Sequence, residues 1–276
     1  MEVSRVYAMY FSGTGTTEKV VTKIAETIAE GLTPGKDFTA FDFTRPEARK
    51  MTHVFGADDL VIFGVPTYAG RVPNVLLPYI KDGIRADGAV AVPVVTFGNR
   101  DFDDSLIELE ELLVGDGFKP VAAAAFVGEH AFSYELAAGR PDEKDMKEAV
   151  RFAVDAAVKI KTMAPEEASP VRVSGQPLVR PYYTPRDRNG DPIDIRKVKP
   201  VTREECNKCG ICAKICPMGS ISESDPTKCE GICIKCGACV KRCPLHCKTF
   251  TDENYLYHMH ELEEMYTRRA ENATFV

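Results

Sequence analysis

From Val3 to Phe11 the chain is mostly apolar and rich in Val and Tyr, and it then switches to the hydroxyl- and glycine-rich stretch Ser12-Gly13-Thr14-Gly15-Thr16-Thr17. A different period follows, with apolar residues at Val20, Val21, Ile24, Ala25 and Ile28. That sequence of patterns predicts a strand, a loop and a helix. The alternation then repeats. Asp37 to Phe43 reads as a second strand, and Asp59 to Val65 as a third, continuously apolar as a central parallel strand should be. Asn74 to Lys81 reads as a helix start and Ala89 to Phe97 as a fourth strand, in which Pro93 removes a ladder donor. A helix with Leu106, Leu109, Leu112 and Leu113 on one side precedes a fifth strand, Lys119 to Val127. A last long helix, Asp142 to Met163, carries Met146, Val150, Ala153, Val154 and Ala157 on the face read as buried. Strands alternating with helices predict an α/β fold, a doubly wound five-stranded parallel sheet of order 2-1-3-4-5.

Three loops in this pattern are unusual, and they follow strands one, three and four. The first, Ser12 to Thr17, offers hydroxyls, backbone N–H groups and a helix dipole to one anion. Lys19 lacks the second glycine that a Walker loop places before its lysine, and Glu18 stands where a dinucleotide fingerprint needs its last glycine. The hydroxyls of Ser12, Thr14, Thr16 and Thr17 suit a terminal phosphate monoester, a group that FMN has. The second loop is Pro66-Thr67-Tyr68-Ala69-Gly70-Arg71-Val72-Pro73, and the third is Gly98-Asn99-Arg100-Asp101-Phe102-Asp103-Asp104. A 2-1-3-4-5 order brings all three to the carboxyl edge of the sheet, where one ligand meets them all.

Beyond the helices the periodicity stops. Residues 128–141 have no clear period and carry His130, Phe132 and Tyr134. They either cover a ligand's edge, dock a second domain, or form a passive surface loop. Pro165 to Pro200 holds seven prolines and the arginines Arg172, Arg180, Arg186, Arg188 and Arg196, which predicts an extended, semi-rigid linker. Thr251 to Arg269 reads as a terminal helix, with Tyr255, Met259, Leu262 and Tyr266 along one stripe. That stripe packs against another element or, alternatively, serves a partner or a second copy of the chain in a homodimer.

Between linker and tail lies the most specific pattern. Cys206-x-x-Cys209-x-x-Cys212-x-x-x-Cys216-Pro217 recurs as Cys233-x-x-Cys236-x-x-Cys239-x-x-x-Cys243-Pro244. This doubled run is similar to that of the two-cluster bacterial ferredoxins, in which three close thiolates hold one iron–sulfur cube and the fourth crosses to the other. It implies two 4Fe-4S clusters, one on Cys206, Cys209, Cys212 and Cys243, the other on Cys233, Cys236, Cys239 and Cys216. A disulfide scaffold suits small secreted proteins, and zinc sites separate their ligand pairs by longer gaps. Cys229 and Cys247 lie outside the pattern, as stand-in ligands or, the better reading, bystander thiols. No histidine has a partner at metal spacing.

All ten cysteines lie between positions 206 and 247, so the chain divides by chemistry. The domains read as 1–163 (ligand-binding α/β), 164–200 (Pro/Arg-rich linker), 201–250 (small α+β two-cluster domain) and 251–276 (C-terminal helix). The net charge of −6 argues against nucleic acid, which needs a basic footprint. Residues 1–164 carry 18 Lys/Arg against 25 Asp/Glu, so the basic linker is expected to lie along them. Lys208, Lys214, Lys235 and Lys241 either offset the thiolates or are solvated. No apolar run approaches the roughly 20 residues of a membrane span. The opening Met1 to Arg5 has no signal-like pattern, and the expected compartment is the cytoplasm.

Ser12-x-Thr14-Gly15-x-Thr17, Gly64-x-Pro66-Thr67-Tyr68 and Gly98-Asn99 resemble the flavodoxin family over residues 1 to 162. The resemblance implies FMN, with its phosphate on Ser12, Gly13, Thr14, Gly15, Thr16 and Thr17 and its ring between the other two loops. Cofactor contacts are then expected from Pro66, Thr67, Tyr68, Ala69, Gly70, Thr96, Gly98, Asn99, Phe102 and Asp103. Tyr68 and Phe102 are the flanking aromatics, and the Gly70 and Gly98 backbones meet the polar edge of the ring. Arg71 and Arg100 depart from the family's acidic loops, and their charge is expected to favour a reduced anionic flavin. The whole chain looks like a flavodoxin-ferredoxin fusion of anaerobes, an electron carrier between clusters, FMN and redox partner proteins. The alternative is an FMN-dependent reductase of a small substrate or nicotinamide, with His130 and Tyr134 as its proton donors.

Overall fold

A computed structural model describes residues 1–176 and 179–276; Pro177 and Leu178 of the expected linker lie outside the described residues. The N-terminal half runs β1 (Arg5–Tyr10), α1 (Thr16–Leu32), β2 (Thr39–Asp42), β3 (His53–Phe55), β4 (Asp59–Pro66), α2 (Leu77–Gly83), β5 (Ile84–Ala86), β6 (Val90–Phe97), α3 (Ser105–Gly115), β7 (Lys119–Pro120), β8 (Ala123–Val127) and α4 (Glu143–Thr162). The C-terminal part adds β9 (Val201–Thr202), α5 (Ile211–Lys214), α6 (Ala238–Lys241), β10 (Lys248–Thr249), α7 (Glu253–Met265) and β11 (Ala273–Phe275).

The main sheet has the order β11-β8-β6-β4-β1-β2. Counting β8 as the fifth strand and leaving β11 aside, this is the 2-1-3-4-5 arrangement of the flavodoxin-like doubly wound fold. Alternation along each strand divides the core in two. Val6, Ala8 and Tyr10 of β1, with Leu60 and Ile62 of β4, join Val20, Val21, Ile24 and Ile28 of α1 on one face. Met9, Phe11, Val61, Phe63 and Val65 face the α2–α3 side with Leu76, Ile80, Leu106, Leu109 and Leu113.

Three expectations change. Pro93 sits in the middle of the sheet and the fifth strand breaks opposite it. Ala91 pairs with Pro120 but Val94 with Ala124, so one extra residue enters between β7 and β8. Missing a donor, the proline leaves the ladder locally unpaired, and a bulge absorbs the gap. On α4 the buried face is Ala149, Phe152, Ala153, Ala156 and Ile160, while Val154 is exposed. Small alanines let α4 lie close to α1, and this close packing outweighs the β-branched residues that suggested the other phase. The terminal helix ends at Met265 and does not continue to Arg269, because the last residues return as β11, antiparallel to β8. The short parallel pair β3–β5 is also additional.

Candidate functional site: three loops and two cysteine-lined cavities

Gly15, at φ +96°, turns the chain into α1. The Ser12 N–H donates to Thr44 Oγ1 (2.8 Å) and Ser12 Oγ accepts from the Glu18 N–H (3.1 Å), which fixes the loop from both sides. Thr14 Oγ1 and Thr16 Oγ1 lie 3.3 Å apart, and Thr17 Oγ1 bonds Thr96 Oγ1 on β6 (2.8 Å). Among the described residues, the backbone N–H groups of Gly13, Thr14, Gly15, Thr16 and Thr17 have no acceptor. Five consecutive free donors at the N-terminus of a 17-residue helix, with hydroxyls beside them, fit a multiply charged oxyanion.

In the second loop, Tyr68 and Arg71 exchange backbone bonds of 2.9 and 3.1 Å across a two-residue turn. Ala69 and Gly70 at its tip both have positive φ, as a primed turn requires. Asp103 packs under Gly70 and the Asp104 N–H donates to Gly70 O (3.1 Å). The expected linker braces the same turn. Tyr183 N donates to Ala69 O (2.9 Å), Tyr182 Oη to Val72 O (2.7 Å), and Arg180 forks onto the fully buried Asp104. Those guanidinium bonds hold the Asp104 carboxyl down at about 2. Thr67 Oγ1 bonds Ser105 Oγ (2.6 Å), and Tyr68 is half-buried on the same edge.

The third loop differs from the expectation in detail. The Asn99 side chain is fully occupied by the tail: its Nδ2 donates to Tyr266 O and Arg268 O, both at 2.7 Å, and its Oδ1 accepts from Ala270 N at 3.1 Å. Its backbone N–H donates to Phe97 O (3.2 Å), so only its carbonyl is left to meet a ligand. The Phe102 ring rests on Phe97, with centroids 5.5 Å apart, and His130 closes directly over Gly98. Burial, with Lys241 nearby, pushes the imidazole of His130 down to about 3, so it is neutral. Arg71 is forked onto buried Glu108 and Arg100 is paired with Asp103. Both cations expected to face the ligand are therefore matched by carboxylates.

The cysteines gather around two small cavities. Cys206, Cys209, Cys212 and Cys243 line the first, with Cys247; Cys216, Cys233, Cys236 and Cys239 line the second, with Cys229. Two halves of one repeat, 27 residues apart, build them. Left-handed residues recur at Lys208 and Lys235, at Gly210 and Gly237, and at Gly219 and His246. The antiparallel pair Lys248–Thr202 matches the bridge Ile221–Cys229. Ser220 N donates to Cys216 Sγ (3.4 Å) as Cys247 N donates to Cys243 Sγ (3.3 Å). Cys247 is buried, and its backbone serves a neighbouring sulfur. Among the described residues no three His, Cys, Asp or Glu side chains converge on a single ion. A cube with one iron per cysteine spreads its thiolates apart, so this spacing is compatible with such a cluster.

The second cavity abuts the first loop. A Cβ on Gly13 would lie 3.1 Å from Cys236 Cβ and 3.4 Å from its Sγ. Gly237 rests on Ala131 O, and Arg49 donates to Phe43 O (3.0 Å), Thr44 O (2.6 Å) and Pro217 O (2.6 Å). Lys241 Nζ bonds Glu129, His130 O (2.7 Å) and Ser133 O (2.6 Å). Segment 128–141 thus docks the cysteine-rich part, and Tyr134 Oη points to Val240 O (3.3 Å). Lys235 is buried and Lys241 half-buried, whereas Lys208 and Lys214 are exposed. Arg49 and Lys248 are the structural cations that the sequence reading missed; nothing in their local pattern marked them.

Residues 199–222 match the family model of the 4Fe-4S binding domain. The chain joins a flavodoxin-like domain to a 4Fe-4S-type segment. No curated protein matches the chain in sequence. Solved structures are similar over its flavodoxin-like part. An archaeal flavodoxin is 16% identical (57% of this chain, 99% of that one, TM-score 0.37). A Streptococcus pneumoniae flavodoxin is 19% identical (56% and 99%, TM-score 0.39). The rubredoxin oxygen:oxidoreductase of Desulfovibrio gigas is 21% identical (58% and 37%, TM-score 0.37). The assignment of the flavodoxin-like domain rests on its strand order. No helix among the described residues is long and apolar enough to cross a membrane.

Proposed function

We propose that the chain is an iron–sulfur flavoprotein that passes single electrons between two 4Fe-4S clusters and FMN and on to a redox partner protein. The observation that carries this reading is the contact of Cys236 with Gly13, which sets a cysteine-lined cavity against a loop of five free N–H donors. Cys206, Cys209, Cys212 and Cys243 would hold one cluster and Cys233, Cys236, Cys239 and Cys216 the other; the twofold repeat of backbone conformation supports two equivalent sites. The loop from Ser12 to Thr17 would hold the phosphate of FMN, with the ring against the Tyr68 turn and the Gly98 backbone. When bound, flavin and clusters supply two-electron and one-electron chemistry to one chain.

The protein's part is to position these groups and to exclude water. Linker residues Arg180, Tyr182 and Tyr183 and the tail around Asn99 close over the flavin loops. The reductase reading has less support, since His130 is held neutral under the third loop and Tyr134 is turned toward Val240. Ten unpaired cysteines suit a reducing compartment such as the cytoplasm. Anaerobically purified protein is expected to contain about eight irons and about one FMN per chain. Iron without flavin, measured by metal analysis and flavin release, would contradict the reading.

A further inference from the structure

The two cysteine-lined cavities are equivalent in sequence pattern but not in position. Contacts that cross to the flavodoxin-like domain come mainly from the second cavity's side of the repeat. Cys236 lies on Gly13, Gly237 on Ala131 O, Pro217 O accepts from Arg49, Gly219 packs on Pro46, and Lys241 is bonded into 129–133. Ile234 adds its side chain to the α2–α3 side of the core. Among the described residues, no hydrogen bond or ion pair of the Cys206–Cys212 loop reaches that domain. Its partners are Arg203, Asp225 and Pro226, all in the cysteine-rich part. From the first-cavity side the approach is that of His246 to Tyr134, with ring centroids 6.5 Å apart. Cys209 is exposed, whereas Cys236 is half-buried.

We infer that the chain orders its redox centres in series: the flavin, then the cluster on Cys216, Cys233, Cys236 and Cys239, then the cluster on Cys206, Cys209, Cys212 and Cys243, which faces the exchange partner. The inference rests on the proposed function and adds an order of centres to it. Gly13 is the contact point, because any side chain there would press on Cys236. Each transfer moves one electron between neighbouring centres, and the external partner supplies or takes it at the Cys209 edge. Electron transfer weakens steeply with distance, so the inner cluster is the flavin's exchange partner and the outer one is reached only through it.

Electron paramagnetic resonance on the full chain, reduced stepwise under anaerobic conditions, tests the order. A flavin radical beside a reduced cluster relaxes fast. In Cys209→Ser, which disables the outer cluster, the radical is expected to keep its fast relaxation. In Cys236→Ser that fast component is expected to be lost. Cys239→Ser repeats the inner test with a residue of the same cavity that does not pack on Gly13, in case the first variant does not assemble. Loss of fast relaxation in Cys209→Ser, or its persistence in both inner variants, would overturn the order. Flavin and iron contents of the same samples separate the two levels: protein without flavin defeats the underlying reading, whereas loaded protein with the wrong relaxation pattern defeats the order alone.

Discussion

Lys248 occupies, in the second half of the cysteine-rich repeat, the place that Ile221 takes in the first, and both are buried. Its ammonium donates to Thr202 Oγ1 and Pro226 O, both at 2.6 Å, and lines the first cavity. A cation there favours the reduced, more negative state of a cluster. Lys248→Met is therefore expected to lower the midpoint potential of the cluster held there by tens of millivolts, the order of one unit charge lost from a partly screened cavity wall. A redox titration followed by paramagnetic resonance checks this, and an unchanged potential contradicts it. At this scale the grouping of the cysteines was legible, because their spacing alone puts Cys243 with Cys206, Cys209 and Cys212, and Cys216 with Cys233, Cys236 and Cys239, as the two cavities are lined. Lys248 was not, since its burial depends on the fold of the repeat and not on its neighbours in sequence. Asn99 shows the same limit: its loop pattern pointed to a ligand, but the tail takes its side chain.

That tail shows what a short element can do. β11 has only three residues, and its register comes from the edge of β8, so no local pattern announces it. Asn99, Arg140 and Asn272 hold its approach, through bonds to Ala270, Val127 and Asp145. Asn99→Ala removes three hydrogen bonds and is expected to cost about 2–3 kcal/mol in chemical denaturation. A cost below about 0.5 kcal/mol would show that the clamp contributes little. The main strands, by contrast, were legible to within a few residues, because continuous apolar runs between glycine-rich loops specify them. Pro93 was visible as an irregularity, but the slip between β7 and β8 that accommodates it was not.

Helix α3 carries a pH-sensitive element. Burial, with Glu111 beside it, raises the Glu110 carboxyl from 4.5 to about 7. The folded state binds this proton more tightly than the unfolded chain does. The contribution is therefore complete below about pH 4.5 and is lost as the pH rises through about 7. Glu110→Gln is expected to be more stable than the parent at pH 8 by about 1 kcal/mol and no more stable at pH 4. Thermal unfolding at both pH values reads the difference, and equal shifts at the two would contradict it.

At the scale of the molecule, the question is how two domains of different chemistry stay in register. Sequence placed the boundaries of chemistry, since all cysteines follow residue 205, but it left segment 128–141 open between three roles. Docking by that segment arises from Lys241, which reaches it across more than a hundred residues of chain, and such a contact has no local signature. The acidic first domain attracts the linker less generally than charge counts suggested. Arg180 pairs with Asp104, whereas Arg186 and Arg196 bond within the linker and Arg188 lies over Tyr257. Lys241→Met is expected to loosen the docked arrangement, with faster proteolytic cleavage between residues 165 and 200 and little change in the unfolding of the flavodoxin-like domain. Unchanged cleavage would mean that the other contacts suffice.

The central claim, that flavin and clusters share one chain in electronic contact, is tested most directly by an anaerobic reductive titration of the full-length protein followed by absorbance and paramagnetic resonance. The account predicts uptake of about four electrons per chain, two into the flavin and one into each cluster, with both sets of signals from the same molecules. Uptake of about two electrons, with the flavin bands or the cluster signals missing, would contradict it.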